Sequence, residues 1–231
     1  MKKIYFICMI CLLFTAALFS DTVDILFITT KGNVIRKVDS DVKMITISAS
    51  DQFPYDITNI KNLDALKKLE RIDIYNVTTI KDYSFLTKCK NIKYLGFANC
   101  KVYDLHFLER MSNLEMIDIE LLKLNKNDLE KIRSEPIDLS GLKYLKFLRF
   151  VAHDLERVPL FIHVNTKPYL AIDNNNISKI TDEDIQLLGQ YSLINIDANP
   201  VVNNKKEYEK LAKLPILREG DKLPEEIKKY Y

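Results

Sequence analysis

Apolar residues along this chain return in one short pattern. Written L-x-x-L-x-L, with any aliphatic or aromatic residue at L, it fits Val42-x-x-Ile45-x-Ile47, Leu69-x-x-Ile72-x-Ile74 and Ile92-x-x-Leu95-x-Phe97. It fits again at Leu114-x-x-Ile117-x-Ile119 and Leu145-x-x-Leu148-x-Phe150. Two further segments, Leu170-x-Ile172 and Ile194-x-Ile196, keep the last two positions, while Lys167 and Tyr191 fill the first. The fourth pattern position falls at residues 45, 72, 95, 117, 148, 170 and 194, in steps of 27, 23, 22, 31, 22 and 24. Four of the six steps lie within two residues of 22, which marks a structural repeat. The alternation at the end of each unit has the period of a β-strand. Such a strand is too short to bury its apolar residues alone, so neighbours must stack at about 4.8 Å into a parallel sheet.

The stretches between the strands carry their own signals. Ile80-x-x-x-x-Phe85-Leu86 and Leu105-x-Phe107-Leu108 read as short helical turns that lead back to the next strand. Both ends of a stacked slab expose core and need caps. Residues 23–38 read as a hairpin: Val23 to Thr30, a Lys31-Gly32-Asn33 turn, then Val34 to Val38. Lys205 to Lys213 reads as helical, followed by Pro215-Ile216-Leu217. The 31-residue step holds an insertion, 124–136, with a short helix over Asn127 to Arg133, capped by Asn125 or Asn127 and ended by Pro136. The expected organisation is an N-terminal β-hairpin cap at 21–41, repeats at 42–203, and a helical cap and tail at 204–231.

This pattern resembles the leucine-rich repeat family over roughly residues 40–220, and within it the internalin-like and phosphatase-regulator-type subclass of 22-residue repeats. Asn175 and Asn199 stand at that family's asparagine position and Cys100 takes its cysteine alternative. The resemblance implies that these side chains bond the backbone of the turn after each strand. Val77, Leu122 and His153 stand there instead, so their turns are expected to be less regular. The segment from Asn199-Pro200-Val201 to the acidic tail is similar to the C-terminal cap of the phosphatase-regulator type, with Glu219-Gly220-Asp221 where Leu-Asp-Gly is usual. The implied fold is an α/β solenoid: a horseshoe of about seven short parallel strands on the concave face, with short helical or 3-10 turns on the convex face. Its implied function is the binding of a protein or peptide.

The first twenty residues are different in kind. Lys2 and Lys3 precede an apolar run, Ile4 to Phe19, which ends at Ser20-Asp21 after the small residues Ala16 and Ala17. The run is short for a membrane span and has the form of a secretory signal, cleaved after Ser20 or Ala17. The expected location is therefore outside the cytoplasm: periplasm, cell surface or medium. No stable membrane insertion is expected after cleavage. The chain holds 34 Lys and Arg against 32 Asp and Glu, and loss of Lys2 and Lys3 leaves a neutral protein. Neutrality argues against nucleic acid as the partner.

Little in the sequence points to catalysis. Only 5 glycines occur, and there is no phosphate-binding loop and no G-x-S-x-G motif. His106, His153 and His163 have no metal-ligand spacing, and no cofactor is expected. Asp182, Glu183 and Asp184 read as the acidic start of a helix. Cys89 and Cys100 fall at opposite ends of one strand, too far apart to bridge, and are expected as buried free thiols. Asn76-Val-Thr78 and Asn176-Ile-Ser178 are glycosylation sequons, relevant only in a eukaryotic secretory pathway. The chain is expected not to be an enzyme; a small exported hydrolase using the insertion or the tail is the alternative of another class.

Strand alternation places positions three, five and seven of each unit on the concave face. Position three reads Met44, Arg71, Tyr94, Met116, Phe147, Tyr169 and Leu193, an apolar stripe broken once. Position five includes Asp73, Gly96, Asp118 and Arg149, and position seven includes Tyr75, Glu120, Asp173 and Asp197. Exposed apolar stripes mark partner sites. The expected contact set is Arg71, Tyr75, Tyr94, Met116, Asp118, Glu120, Phe147, Arg149 and Tyr169. Tyr94, Met116, Phe147 and Tyr169 form its centre, and Asp118 and Glu120 steer a basic partner. Gly96 beside Tyr94 suggests a hollow for an incoming side chain. A surface adhesin, a homodimer through the same face, and a stripe packed on itself remain open at this level.

Overall fold

The computed structural model describes residues 21–49, 56–120, 122–125, 127, 128, 130, 134–151, 155–217, 221 and 225–228. The expected signal segment, His153, and parts of the insertion and the tail lie outside them.

Seven parallel strands form the main sheet, ordered along the stack as β3 (Met44–Ser48), β5 (Arg71–Tyr75), β6 (Tyr94–Ala98), β7 (Met116–Glu120), β9 (Phe147–Val151), β11 (Tyr169–Ala171) and β12 (Leu193–Asn195). Their register is that of the repeat: Ile45, Ile72, Leu95, Ile117, Leu148, Leu170 and Ile194 stand side by side. From β5 to β12 the fourth- and sixth-position side chains are almost wholly buried. They meet the apolar residues of the 3-10 turns Ser84–Lys88 and His106–Arg110 on the convex side. Tyr83, Phe97 and Phe107 pack there, with Phe97 edge-on to both neighbours. The architecture is an α/β solenoid of the leucine-rich repeat type.

Four of the repeats turn the chain by a left-handed residue shortly after the strand: Asn76, Asn99, Asn174 and Ala198 have φ of 58, 56, 54 and 56°. The next residue seals the turn from inside. Asn175 Nδ2 donates to the carbonyls of Phe150 and Ile172, both at 3.0 Å. Asn199 Nδ2 donates to Ile172 and Ile196, both at 2.9 Å, and its Oδ1 accepts from the Ile177 amide. The Cys100 thiol does the same more weakly, donating to Ile74 and Ala98 carbonyls. Val77, which has no such donor, still follows a left-handed residue and is buried. Its turn keeps the repeat geometry, contrary to the expectation of irregularity, because the backbone conformation is set by Asn76, a residue tolerant of that region.

The caps differ in detail from the sequence reading. The hairpin pairs β1 (Thr22–Thr29) with β2 (Gly32–Asp39), so the turn is Thr30-Lys31, one residue earlier than expected. Thr29 Oγ1 donates to the Gly32 carbonyl and accepts from the Lys31 amide, and Gly32 takes a φ of 124° that side chains avoid. A third strand, β4 (Ile57–Lys61), pairs with β1 and buries Ile57 and Ile60. At the other end the helix Lys205–Glu209 is capped by the Asn204 side chain and is shorter than the pattern suggested. After it, Ile216 bridges Ile194 in parallel, continuing the sheet beside β12.

The long step adds a small second sheet, β8 (Ile137–Asp138) with β10 (Phe161–Ile162). Phe161 of this sheet packs edge-on against Phe150. Asn127, Asp128, Glu130 and Ser134 are helical, and Asn125 Oδ1 accepts from the Asp128 amide at 3.0 Å, as a cap does. The acidic run Asp182 to Asp184 opens the helix Asp182–Leu188, where Thr181 and Asp184 form a reciprocal capping box. Arg157 reaches both Thr181 and Asp184.

Candidate protein-interaction surface

The concave face is built from the odd positions of the strands, and the observed register aligns them as rows. Met44, Arg71, Tyr94, Met116, Phe147, Tyr169 and Leu193 form one continuous row. Its exposure falls steeply along the stack. Met44 is 53% exposed and Arg71 is exposed, Tyr94 is half-buried, and then Met116 is 6%, Phe147 0% and Tyr169 1% exposed. Phe147 stacks on Tyr169 with ring centroids 5.2 Å apart, and Ala171 completes the buried group. The stripe expected to face water is therefore a second apolar core at its C-terminal half. Adjacent strands bring the rings within stacking distance, and each shields the next.

The charged residues of the face are engaged with one another. Arg71 Nε donates to Asp73 Oδ2 at 2.7 Å and Nη2 to Oδ1 at 3.3 Å, along one strand. That bond to Asp73 holds the Arg71 guanidinium above its ordinary pKa. Asp73 is itself buried because it lies flat over Gly96 on the next strand. A Cβ on Gly96 would stand 2.5 Å from Asp73 Oδ1. The hollow expected beside Tyr94 is thus filled from within, by the Asp73 carboxylate.

Asp118 and Glu120 both accept from Arg149 Nη1, at 3.1 and 2.7 Å. Burial pushes the Asp118 carboxyl up from its usual range, against the pull of Arg149. Burial would lower the Arg149 pKa, but the bonds to Glu120 and Asp118 outweigh it and keep the guanidinium charged. The two acids expected to attract a basic partner thus share one cation, Arg149. Tyr75, 37% exposed at the end of β5, is pushed up by partial burial and by Asp73.

The cysteines and two of the histidines have local surroundings of their own. Cys89 and Cys100 are free and buried, and burial pushes both thiols up to about 11. His106 Nδ1 pairs with Asp104 at 2.7 Å and His163 Nδ1 with Asp138 at 3.1 Å. Among the described residues no group of three or more His, Cys, Asp or Glu is placed to hold a metal, and no helix is long and apolar enough to cross a membrane.

One surface escaped the sequence reading. Position two of successive units alternates in sign: Lys43, Glu70, Lys93, Glu115, Lys146. In the stack these side chains lie along one rim, where Lys93 bonds Glu70 at 3.2 Å and Lys146 bonds Glu115 at 2.7 Å. Lys43, Glu70, Lys93 and Glu115 border a shallow groove of 590 Å³ with Lys67 and the exposed Tyr144. The signal was the alternation itself, visible once the repeats are aligned.

No protein-family model matches the chain, and no curated protein matches it. Among solved structures the chain is similar to an internalin from Listeria monocytogenes, at 15% sequence identity and a TM-score of 0.37, over 73% of this chain and 54% of that one. The chain thus spans about half the length of that protein. The architecture stated above rests on the repeat and its register, seen directly in the sheet.

Proposed function

We propose that this protein is an exported interaction module that binds a protein or peptide on the open, N-terminal half of its concave face, and that it binds rather than catalyses. The observation that carries the reading is the exposure of Met44 and Tyr75, at 53% and 37%, on either side of the Arg71–Asp73 pair. Aromatic, Met and Arg side chains gathered on a curved surface are the residue types that dominate interface cores. Half-buried Tyr94 continues this patch inward. Export is supported by the charged start and apolar run of residues 1–20; sequencing the N-terminus of the exported protein should give Leu18 or Asp21.

The test is capture from cell-envelope or host-surface extracts by the immobilised protein. Each captured partner is then titrated calorimetrically against wild type and the Met44→Ser/Tyr75→Ser double variant. Binding should fall at least tenfold with the melting temperature nearly unchanged. A partner whose affinity ignores both substitutions would place recognition elsewhere, with the charged rim the next surface to test.

A further inference from the structure

We infer that the free edge of β3 is a docking site for one extended segment of a partner protein, added in parallel as a further strand of the main sheet. The inference rests on the proposed function for there being a partner, and adds how that partner is held. The hydrogen bonds of β3 carry it. The Lys43 carbonyl accepts from the Arg71 amide at 3.0 Å, and the Ala49 amide donates to the Tyr75 carbonyl at 3.2 Å. In a strand the amide and carbonyl of one residue point to the same side, and successive residues alternate. Lys43, Ile45, Ile47 and Ala49 therefore face β5, and Met44, Thr46 and Ser48 turn their backbone groups the other way. No described strand pairs with β3 on that side. The amides and carbonyls of these residues stand in line there, a template that another strand completes.

The other edges are protected. At the far end of the main sheet, β12 is continued by the bridge from Ile216. β2, the outer strand of the hairpin, carries exposed Arg36 and Lys37, charges that discourage strand addition. β3 reads Met-Ile-Thr-Ile-Ser, without a charge or a proline. Its inward side is also left unfinished. Ile45 is half-buried, whereas its counterparts on the other six strands are buried. A strand with apolar residues at alternate positions would cover it, as β5 covers its other side.

The hairpin leaves room for a single strand and not for a second copy. Thr79 of the second repeat donates to the Ile57 carbonyl at 2.7 Å on one side of β4, and β1 pairs with β4 on the other. β1 and β2 therefore run on past β3 by two strand widths, about 10 Å, where the main sheet has stopped. The end of the molecule is a step. Val23 on β1, with Val38 and Val42, packs half-buried against the core at this end. One extended segment fits along the step. A second copy joined edge to edge would drive its own β1 and β2 into those of the first.

Amide hydrogen exchange on the full chain tests the edge and then the docking. In the free protein the Met44, Thr46 and Ser48 amides should exchange about 100-fold faster than those of Ile45 and Ile47. The probe is a synthetic peptide of residues 69–75, the sequence that already lies beside β3 as β5. In excess it should slow the three edge amides at least about tenfold. A peptide N-methylated at Ile72 and Ile74, whose amides face β3 in a parallel register, should have no effect. One N-methylated at Arg71 and Asp73 should act like the parent. Slow exchange at the edge amides of the free protein overturns the inference, and so does a peptide that leaves them unprotected. Protection that rises with protein concentration alone makes a second copy the occupant and overturns it too. Failure to capture any partner counts against the proposed function alone, since the peptide readings need none.

Discussion

Replacing Phe147 by Ala probes whether the concave face is a surface or a core. Phe147 and Phe150 lie on the same strand, β9, with opposite orientations, and both are 0% exposed. Removing a buried Phe side chain costs about 3–5 kcal/mol when the cavity does not collapse. Phe147 also loses its stack on Tyr169, a contribution of about 0.5–1.5 kcal/mol beyond area. The concave cluster is small, and its neighbours can partly relax into the gap, so about 3 kcal/mol is expected for Phe147→Ala and about 4 kcal/mol for Phe150→Ala. For a chain of this size that is a fall in melting temperature of roughly 10 °C. Met44→Ala, at the open end of the same row, should change stability by less than about 0.5 kcal/mol. Equilibrium urea unfolding of the three variants, compared at constant slope, gives all three values. The reasoning fails if Phe147→Ala costs under about 1 kcal/mol while Phe150→Ala costs its full amount. The concave side would then be open to water, and burial there would not reflect packing.

Other substitutions isolate single features. Gly96→Ala drives a methyl into Asp73 Oδ1 and must displace the Arg71 pair, at a cost of about 1–2 kcal/mol. In the Asp73→Ala background the same change should be nearly neutral, and an undiminished cost there would assign the strain to the backbone instead. Ala198 holds a left-handed conformation that the equivalent asparagines tolerate better, so Ala198→Gly should raise stability by about 1 kcal/mol; a loss in thermal unfolding would refute the conformational argument. The two thiols give a pH signature. Each ionises near 9 when unfolded but at about 11 in the fold. The folded state therefore retains protons that the unfolded state loses, and stability is full below pH 9 and falls between pH 9 and 11, by on the order of 2 kcal/mol per thiol. A Cys89→Ala/Cys100→Ala variant should lose most of that dependence, whereas an unchanged slope would assign it to tyrosines such as Tyr191.

The sheet was legible in the sequence because two periods overlap in it. Alternation within a unit says which side chains point inward, and the near-constant step between units says which residues become neighbours. Together they place Ile72 beside Leu95 and Tyr94 beside Met116 before any coordinates exist, as the register shows. What lacked a period was lost. β4 pairs with β1 some thirty residues earlier in the chain and buries Ile57 and Ile60, three apart, which is not strand alternation. β8 and β10 are two residues each, too short to carry any pattern.

The concave face shows where such reading stops and how much further it could have gone. Alternation assigns a side chain to a face but says nothing about what lies above that face, so Phe147 was correctly oriented and wrongly expected to be exposed. Its burial comes with the stack on Tyr169 of the next strand, which a strand read by itself does not show. The charges are a different case. Asp118 and Arg149 occupy position five in consecutive units, and Glu120 sits two residues along the same strand. Their pairing followed from the alignment already in hand, as did Asp73 lying over Gly96. Reading each row across the strands, rather than each strand along the chain, would have shown those two acids sharing the Arg149 cation. What the rows do not cover is the open end of the face, where Met44 and Tyr75 stay exposed.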